Sequence, residues 1–111
     1  MGEIISFEDW QKFDLRTGEI LEVKDIAGTE KLYKLKVDLG VETRTIIAGL
    51  KKNYTREELE GKKCIVITNL EPKKIKGILS HGMLLAAVND DHSEIKLLQP
   101  DGVIDPGWKV S

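Results

Sequence analysis

The chain has 111 residues, of which 41% are hydrophobic and 32% charged, and this composition supports one folded domain with its own core. Its formal net charge is −2, and it has no run of about 18 apolar residues that could span a membrane. Residues 1–10 carry acids where a secretion signal needs a basic and then an apolar start, so we expect a cytosolic protein. Cys64 is the only cysteine, which excludes disulfides within the chain.

The first thirteen residues contain a helix signal. Ser6 and the acid three positions later form a capping pattern that predicts a short N-terminal helix. The aromatic residues behind this cap have near-helical spacing, and we expect them to pack the helix: Phe7, Trp10 and Phe13.

Three alternating segments in the first half of the chain predict strands. They lie at residues 15–23, 32–38 and 43–47. The first is expected to be twisted or bulged, with its bend at Gly18. The other two are separated by a short reversal and are expected to pair as a hairpin.

A second capping box at Thr55 predicts a short helix ending at Gly61, and the apolar segments 64–67 and 83–88 predict two more strands. Three strands, a short helix, a fourth strand and a closing strand match the five-stranded Greek-key OB barrel, an all-β fold. We predict a single domain over residues 1–111, with the N-terminal helix in 1–13, the barrel in 14–89 and a C-terminal extension in 90–111.

The sequence carries no catalytic or metal-binding pattern. His81 and His92 are the only histidines, and a predicted strand separates them. The glycines are isolated, so neither a P-loop nor a dinucleotide fingerprint is present. Cys64 lies in an apolar run, which is typical of a buried structural thiol. We expect no enzyme activity, no metal and no cofactor.

Basic residues are concentrated in the middle of the chain. Residues 31–81 hold twelve basic and six acidic side chains, whereas residues 1–30 and 82–111 are both net acidic. Lysine clusters suit a phosphate backbone, although they also decorate ordinary solvated loops. The candidate phosphate contacts are Lys51, Lys52, Lys73, Lys74 and Lys76, with Lys31 and Arg44 as further candidates that have acids nearby to pair with instead.

Several short motifs occur in one order between residues 14 and 107. They are DLRTGEI at 14–20, KLY at 31–33, RTIIAGL at 44–50, NLEPKKIKG at 69–77, SHGMLLAA at 80–87 and Pro106-Gly107. In this combination the chain resembles the structure-specific tRNA-binding domain family, an OB module that occurs free-standing and as an appendage of methionyl-tRNA synthetases. The turn at 26–30 departs from the family in lacking its usual histidine and proline, and His81 stands where glutamine is common.

The resemblance implies a non-catalytic protein that binds folded tRNA by its shape, alone or as an auxiliary to a synthetase. It places Ser80 and Met83 at the RNA surface; alternatively, Ser80 shapes the turn before Gly82 and Met83 fills the barrel mouth. It also implies a homodimer, whose interface we assign to apolar residues that could equally cover the open end of the barrel: Leu97, Leu98, Val103, Ile104 and Trp108.

Two other hypotheses concern the ligand. The first is a chaperone-like or protein-docking module, for which the barrel and its apolar tail would supply the surface. The second is binding of single-stranded nucleic acid, which the small number of aromatic residues, two each of Trp, Tyr and Phe, makes less favourable.

Overall fold

A computed structural model describes residues 1–111 as two short helices and ten strands. The elements are α1 (Phe7–Trp10), β1 (Leu15–Asp25), β2 (Tyr33–Asp38), β3 (Thr43–Ala48), α2 (Arg56–Leu59), β4 (Lys63–Ile67), β5 (Lys73–Ile75), β6 (Ile78–Ser80), β7 (Met83–Leu84), β8 (Ala86–Val88), β9 (Ile95–Leu97) and β10 (Lys109–Val110). Neither helix has the length and apolar composition needed to cross a membrane.

β1 is the longest strand and organises the main sheet. Its first residues pair with β4, from Leu15 opposite Ile67 to Glu19 opposite Lys63. From Glu19 onward it pairs instead with β2, which pairs in turn with β3. The strand order is therefore β3-β2-β1-β4-β7, with every pair antiparallel. Because β1 pairs with β4 along its first part and with β2 along the rest, the sheet curls toward a barrel.

The two edges of the curled sheet meet without a regular ladder. The amide of His81 donates to the carbonyl oxygen of Thr45 at 2.9 Å. The amide of Ile47 donates to Ser80 Oγ, also at 2.9 Å. These bonds join β3 to the segment that runs from β6 into β7. The predicted all-β OB fold is confirmed.

The predicted strand at 83–88 is divided in the structure. β7 pairs with β4, whereas β8 pairs with β9. The change of partner occurs at Leu85, whose amide donates to Ile65 in the barrel and whose carbonyl oxygen accepts from the amide of Leu98. The prediction of one continuous strand was wrong because it took no account of a partner strand in residues 90–111.

The irregularity in β1 lies at Leu21, so the bend predicted at Gly18 was wrong. The register against β2 shifts between Ile20 and Glu22. Gly18 has a different function, since a Cβ at this position would lie 3.0 Å from Val37 Cγ1. The missing side chain lets β1 and β2 pack closely.

Alternation along β2 separates the core from the outer surface. Tyr33, Leu35 and Val37 are buried in the main hydrophobic cluster. Lys34 and Lys36 lie between them in the sequence and therefore on the opposite face of the strand. The strand predicted at residues 32–38 is therefore confirmed, with its alternate apolar residues in the core.

α2 and β4 complete the main core. α2 contributes Leu59, which is fully buried. The predicted capping box is formed, because Thr55 Oγ1 accepts from the amide of Glu58 and the Glu58 carboxylate accepts from the amide of Thr55. In β4, burial raises the pKa of the Cys64 thiol to about 12, as expected for a structural thiol.

Residues 90–111 fold back onto the barrel. β9 pairs with β8, and β10 pairs with the start of β1. The buried Thr17 accepts a hydrogen bond at Oγ1 from the amide of Trp108 at 2.9 Å. Gly107 has φ +93°, and a Cβ there would lie 2.6 Å from the carbonyl oxygen of Leu39. This close approach gives a physical reason for the Pro-Gly pair in the sequence motif.

α1 forms where it was predicted, with Ser6 as its cap, but its aromatic side chains do not enter the core. Phe7 is 70% exposed, and the rings of Trp10 and Phe13 lie 6.0 Å apart at the surface. The helix has only four residues, and these rings share a surface cavity with residues 109–111. The predicted packing of all three rings was therefore wrong, and they form an exposed apolar patch instead.

Candidate nucleic-acid interface

The β5–β6 hairpin presents three lysines on a tight turn. Only Lys76 and Gly77 separate its two strands, and both have positive φ, 52° and 80°. Positive φ at both central residues is typical of the type I′ turn, which matches the twist of the flanking strands. Lys73 and Lys74 precede the turn. All three lysines are exposed and form no ion pair, so their charges are available to a ligand.

The hairpin continues a line of residues that crosses the barrel. Lys73 is paired with Ser80, which is hydrogen-bonded to Ile47 of β3. Ile47 is paired with Lys34 of β2, which is paired in turn with Lys24 of β1. Because neighbouring strands lie about 4.8 Å apart, this line spans roughly 20 Å and carries three lysines.

Lys36 lies two residues further along β2, on the same outward face as Lys34. It is paired with Glu22 on one side and with Thr45 on the other. These residues and Lys24 line a shallow cavity of about 230 Å³. The lysines that we group below as the cationic surface are Lys24, Lys34, Lys36, Lys73, Lys74 and Lys76.

Three members of this surface were not among the predicted contacts. Lys34 and Lys36 share a face because they alternate along β2, and strand pairing places Lys24 of β1 beside Lys34. The signal was nevertheless present in the alternation of β2, which places residues 34 and 36 opposite the buried positions.

The other predicted lysines lie on the loop before β2 and the loop after β3. The amide of Lys51 donates to the carbonyl oxygen of Lys31 at 3.2 Å, which joins the loop before β2 to the loop after β3. Lys51 Nζ forms an ion pair with Asp25 at 2.9 Å, and this hydrogen bond lowers the pKa of Asp25. Lys31 and Lys52 are exposed and line a cavity of about 640 Å³. Asp25 is paired with Tyr33, whereas Lys24 is paired with Lys34, so Lys51 and its ion pair lie toward the strand face opposite the cationic surface.

Arg44 and Ser80 are engaged within the fold. The Arg44 guanidinium forms an ion pair with Glu42 at 2.7 Å and donates to the carbonyl oxygen of Thr68, which ties β3 to the end of β4. Ser80 is buried, with its hydroxyl oxygen bound by the amide of Ile47. Direct contact of these two residues with RNA stays a prediction, and neither is a member of the cationic surface.

Met83 lies at the surface beside the buried Leu84. Its side chain is 50% exposed, whereas Leu84 belongs to the main core. The alternative in which Met83 fills the barrel mouth is wrong. Its contact with RNA stays a prediction that this exposure permits.

The residues predicted for a dimer interface differ in exposure. Leu97 packs against the core, and Ile104 is partly buried. Leu98, Val103 and Trp108 are exposed. A second set of exposed apolar side chains lies at the N-terminus, and we call it the N-terminal patch: Ile4, Ile5, Phe7, Trp10 and Phe13.

The titratable residues form no evident catalytic cluster. No group of three or more His, Cys, Asp or Glu side chains is placed to hold a metal ion. The only cysteine is buried with a raised pKa, which disfavours the thiolate that a nucleophile requires.

An OB barrel with a cationic surface across its outward strand face belongs to the class of modules that bind nucleic acid. A family model described as a putative tRNA binding domain matches residues 15–109, which run from the start of β1 into β10. The chain belongs to this family of tRNA-binding domains, as its motifs predicted.

Curated relatives include longer enzymes. The chain is 55% identical over 108 residues to a methionine–tRNA ligase of Pyrococcus horikoshii, a match that covers 97% of this chain and 15% of that enzyme. The chain therefore spans about 15% of the length of this relative.

Two solved structures match the chain over nearly their whole length. A MetRS-related protein from Pyrococcus horikoshii is 37% identical, with a TM-score of 0.92, and the match covers 99% of this chain and 100% of that one. The CsaA chaperone protein from Picrophilus torridus is also 37% identical, with a TM-score of 0.87 and coverage of 97% and 100%.

Proposed function

We propose that the chain binds folded tRNA by its shape, through contacts between the cationic surface and the RNA backbone, and that it catalyses no reaction itself. The observation that carries the proposal is the line of lysines from Lys24 through Lys34 to Lys73. Lysines arranged on a rigid sheet match phosphates that a folded RNA holds at fixed positions.

The positions of the tyrosine rings in the barrel favour recognition of a folded RNA by its shape over binding of single-stranded RNA by base stacking on the cationic surface. Tyr33 is buried, and its hydroxyl donates to the carbonyl oxygen of Tyr54. The Tyr54 hydroxyl in turn accepts from the amide of Leu97. Lys51 Nζ lies over the Tyr33 ring and Lys62 Nζ over the Tyr54 ring, so neither ring forms part of an open platform on which successive bases could stack.

We further propose that the chain works beside a methionyl-tRNA synthetase, either within a longer protein or as a separate partner. The supporting observation is its similarity to segments of methionine–tRNA ligases and to a MetRS-related protein of the same length. A second tRNA-binding module would raise the effective concentration of tRNA at the synthetase. The cytosolic location stays a prediction from the sequence.

A homodimer is also part of the proposal. Contiguous exposed apolar surface is uncommon on monomers, and two sets of exposed apolar side chains could form the contact: the N-terminal patch, and Leu98, Val103 and Trp108 among the predicted interface residues. Two barrels joined by a symmetric contact would present two cationic surfaces to one RNA. Sedimentation velocity should show a dimer that Phe7→Ser with Trp10→Ser weakens. Val41→Ser, which changes an exposed apolar side chain outside both the N-terminal patch and the predicted interface residues, is the matched control.

The central test is a titration with three nucleic acids at several salt concentrations. Folded tRNA should bind most tightly, the same RNA kept unfolded more weakly, and duplex DNA most weakly, with affinity falling steeply as salt rises. Equal affinity for all three would refute shape recognition.

Charge reversal tests the surface itself. Lys73→Glu with Lys74→Glu should lower tRNA affinity by at least about tenfold while leaving thermal melting nearly unchanged, because both side chains are exposed. Lys12→Glu with Lys96→Glu makes the same charge change at exposed positions outside the cationic surface and should have a much smaller effect. Equal effects of the two double variants would remove the hairpin from the binding surface.

A chaperone-like function is the second candidate. It is favoured by the likeness to the CsaA chaperone protein and by the exposed N-terminal patch. An aggregation assay with an unfolded polypeptide tests it: Phe7→Ser with Trp10→Ser should abolish suppression of aggregation, whereas the hairpin variant should retain it.

A further inference from the structure

A separate cavity lies where the turn between β2 and β3 meets the C-terminal segment. Its volume is about 350 Å³, and its lining includes Asp14, Arg16, Val41, Glu42, Arg44 and Trp108. Arg44 also lines the cavity that contains Lys24, Lys34 and Lys36. The two cavities therefore meet at Arg44 of β3.

Trp108 is exposed although its backbone is fixed. Its amide donates to Thr17 Oγ1 and its carbonyl oxygen accepts from the amide of Thr17, each at 2.9 Å. The side chain is nevertheless 56% exposed, and it pairs with no other aromatic ring in the chain. An indole on a fixed backbone loses little conformational freedom when a flat ligand stacks on it.

The charges around this cavity cancel in two ion pairs. Arg16 Nε lies 3.0 Å from Asp14 Oδ1, and an Arg44 nitrogen lies 2.7 Å from Glu42 Oε1. A site with balanced charge gives a free phosphate little net attraction. It does offer both N–H donors and carboxylate acceptors beside an aromatic surface. A neutral, flat ring with donors and acceptors on its edge suits such a mixture of groups beside an aromatic ring, and a nucleobase is such a ring.

We propose that this cavity receives one unpaired nucleobase of the bound tRNA, which stacks on Trp108 with its polar edge toward the two arginine–carboxylate pairs. The inference rests on the proposed tRNA binding and adds one base contact to a surface that otherwise contacts the backbone. Folded RNA exposes unstacked bases in its loops and at its ends, and such bases are the parts that proteins bind by stacking.

Tryptophan fluorescence tests the stacking directly. Trp10→Phe leaves Trp108 as the only tryptophan, and the matched variant Trp108→Phe leaves only Trp10. Folded tRNA should strongly quench the first variant and leave the second nearly unchanged, after correction for absorbance with a free tryptophan standard. Equal quenching of the two, or quenching of neither, would overturn the proposal.

Affinity measurements show whether tRNA binding requires an aromatic ring at position 108 or only an apolar side chain. Trp108→Ala should weaken tRNA binding at least about fivefold, Trp108→Leu should weaken it to the same degree, and Trp108→Phe should retain most of the affinity. Thermal melting of each variant confirms that the protein remains folded. If Trp108→Ala binds tRNA like the wild type while the hairpin variant binds weakly, the inference fails and the proposed function stands.

Two further outcomes would also overturn the inference. A change in sedimentation on Trp108→Ala would assign the ring to contact with a second copy of the chain. Quenching of Trp108 by an unfolded polypeptide, with none by tRNA, would assign it to protein binding. If the wild-type protein binds folded tRNA no more tightly than unfolded RNA or duplex DNA, the proposed function fails along with the inference.

Discussion

The hydroxyl oxygen of Ser80 accepts a hydrogen bond from the buried amide of Ile47 at 2.9 Å, and this bond joins the lysine hairpin to the barrel. No β-ladder pairs β3 with β6, so the side chain provides an acceptor that a neighbouring strand would otherwise supply. Because Lys73 is paired with Ser80, the same bond also fixes where the hairpin lysines lie. A residue that is buried in the fold thereby helps to shape the proposed binding site.

Ser80→Ala should lower the free energy of unfolding by about 1–3 kcal/mol, because the Ile47 amide would stay buried without its acceptor. Urea unfolding measures the change, and Ser111→Ala, at an exposed terminal serine, is the control. A variant with unchanged unfolding energy and weaker tRNA binding would contradict this role and support direct contact with RNA.

The sequence was sufficient to predict the elements that depend on local patterns. Alternation in residues 33–37 marks β2 and its buried face, and the Thr55 capping box marks α2. The order of these elements led to the OB barrel, because few folds combine three strands, a short helix and two more strands.

The features that depend on distant partners could not be predicted in this way. The division of residues 83–88 at Leu85 requires β9, and the closure at Ser80 uses a side-chain acceptor in place of a ladder. The exposure of Phe7 depends on which parts of the chain pack against α1, and helical spacing does not reveal this. Lys24 meets Lys34 only through strand pairing, so clusters along the sequence did not indicate that the lysines of β1 and β2 share a surface.

The strand-face lysines provide a test that is independent of the hairpin. Lys24→Gln, Lys34→Gln and Lys36→Gln combined should weaken tRNA binding and reduce its dependence on salt. For every phosphate that the variant no longer neutralises, the slope of log affinity against log salt concentration should fall in magnitude by roughly 0.7–0.9. Fluorescence anisotropy with labelled tRNA at four or more salt concentrations gives this slope.

Glu22 supplies the matched control for that variant, because it is paired with Lys36 on the same face but carries the opposite charge. Glu22→Gln should leave tRNA affinity unchanged or raise it. A slope that stays at the wild-type value in the triple lysine variant would restrict the binding surface to the hairpin and loops.

Met83 and Leu84 are neighbours with opposite exposure, 50% and 9%, and therefore form a matched pair. Met83→Asp should leave the protein folded, because the introduced carboxylate remains hydrated. The same negative charge should weaken tRNA binding by repelling the RNA phosphates. Leu84→Asp should unfold the protein, because an unpaired carboxylate in the core is costly. Circular dichroism during thermal melting, followed by tRNA titration of the folded variant, distinguishes the two. Unfolding of Met83→Asp would show that the side chain packs more deeply than its exposure indicates.

Asp14 links the start of β1 to the end of β4 through a charge-dependent contact. The Thr68 hydroxyl donates to Asp14 Oδ2 at 2.6 Å, and this hydrogen bond, followed by the attraction of Arg16, lowers the pKa of Asp14. A carboxyl group whose pKa is lower in the folded state stabilises the fold above its unfolded pKa of about 4 and loses that contribution as pH falls through the folded value.

Wild-type protein should therefore have a larger free energy of unfolding than Asp14→Asn at pH 7, and the gap should shrink progressively below about pH 5. Urea unfolding at pH 7, 5, 4 and 3 measures the gap, and Asp101→Asn, at an exposed carboxylate, should show no comparable difference. A gap of equal size at pH 7 and pH 3 would mean that Asp14 stabilises the strand ends through its shape or its backbone and not through its ionised carboxylate.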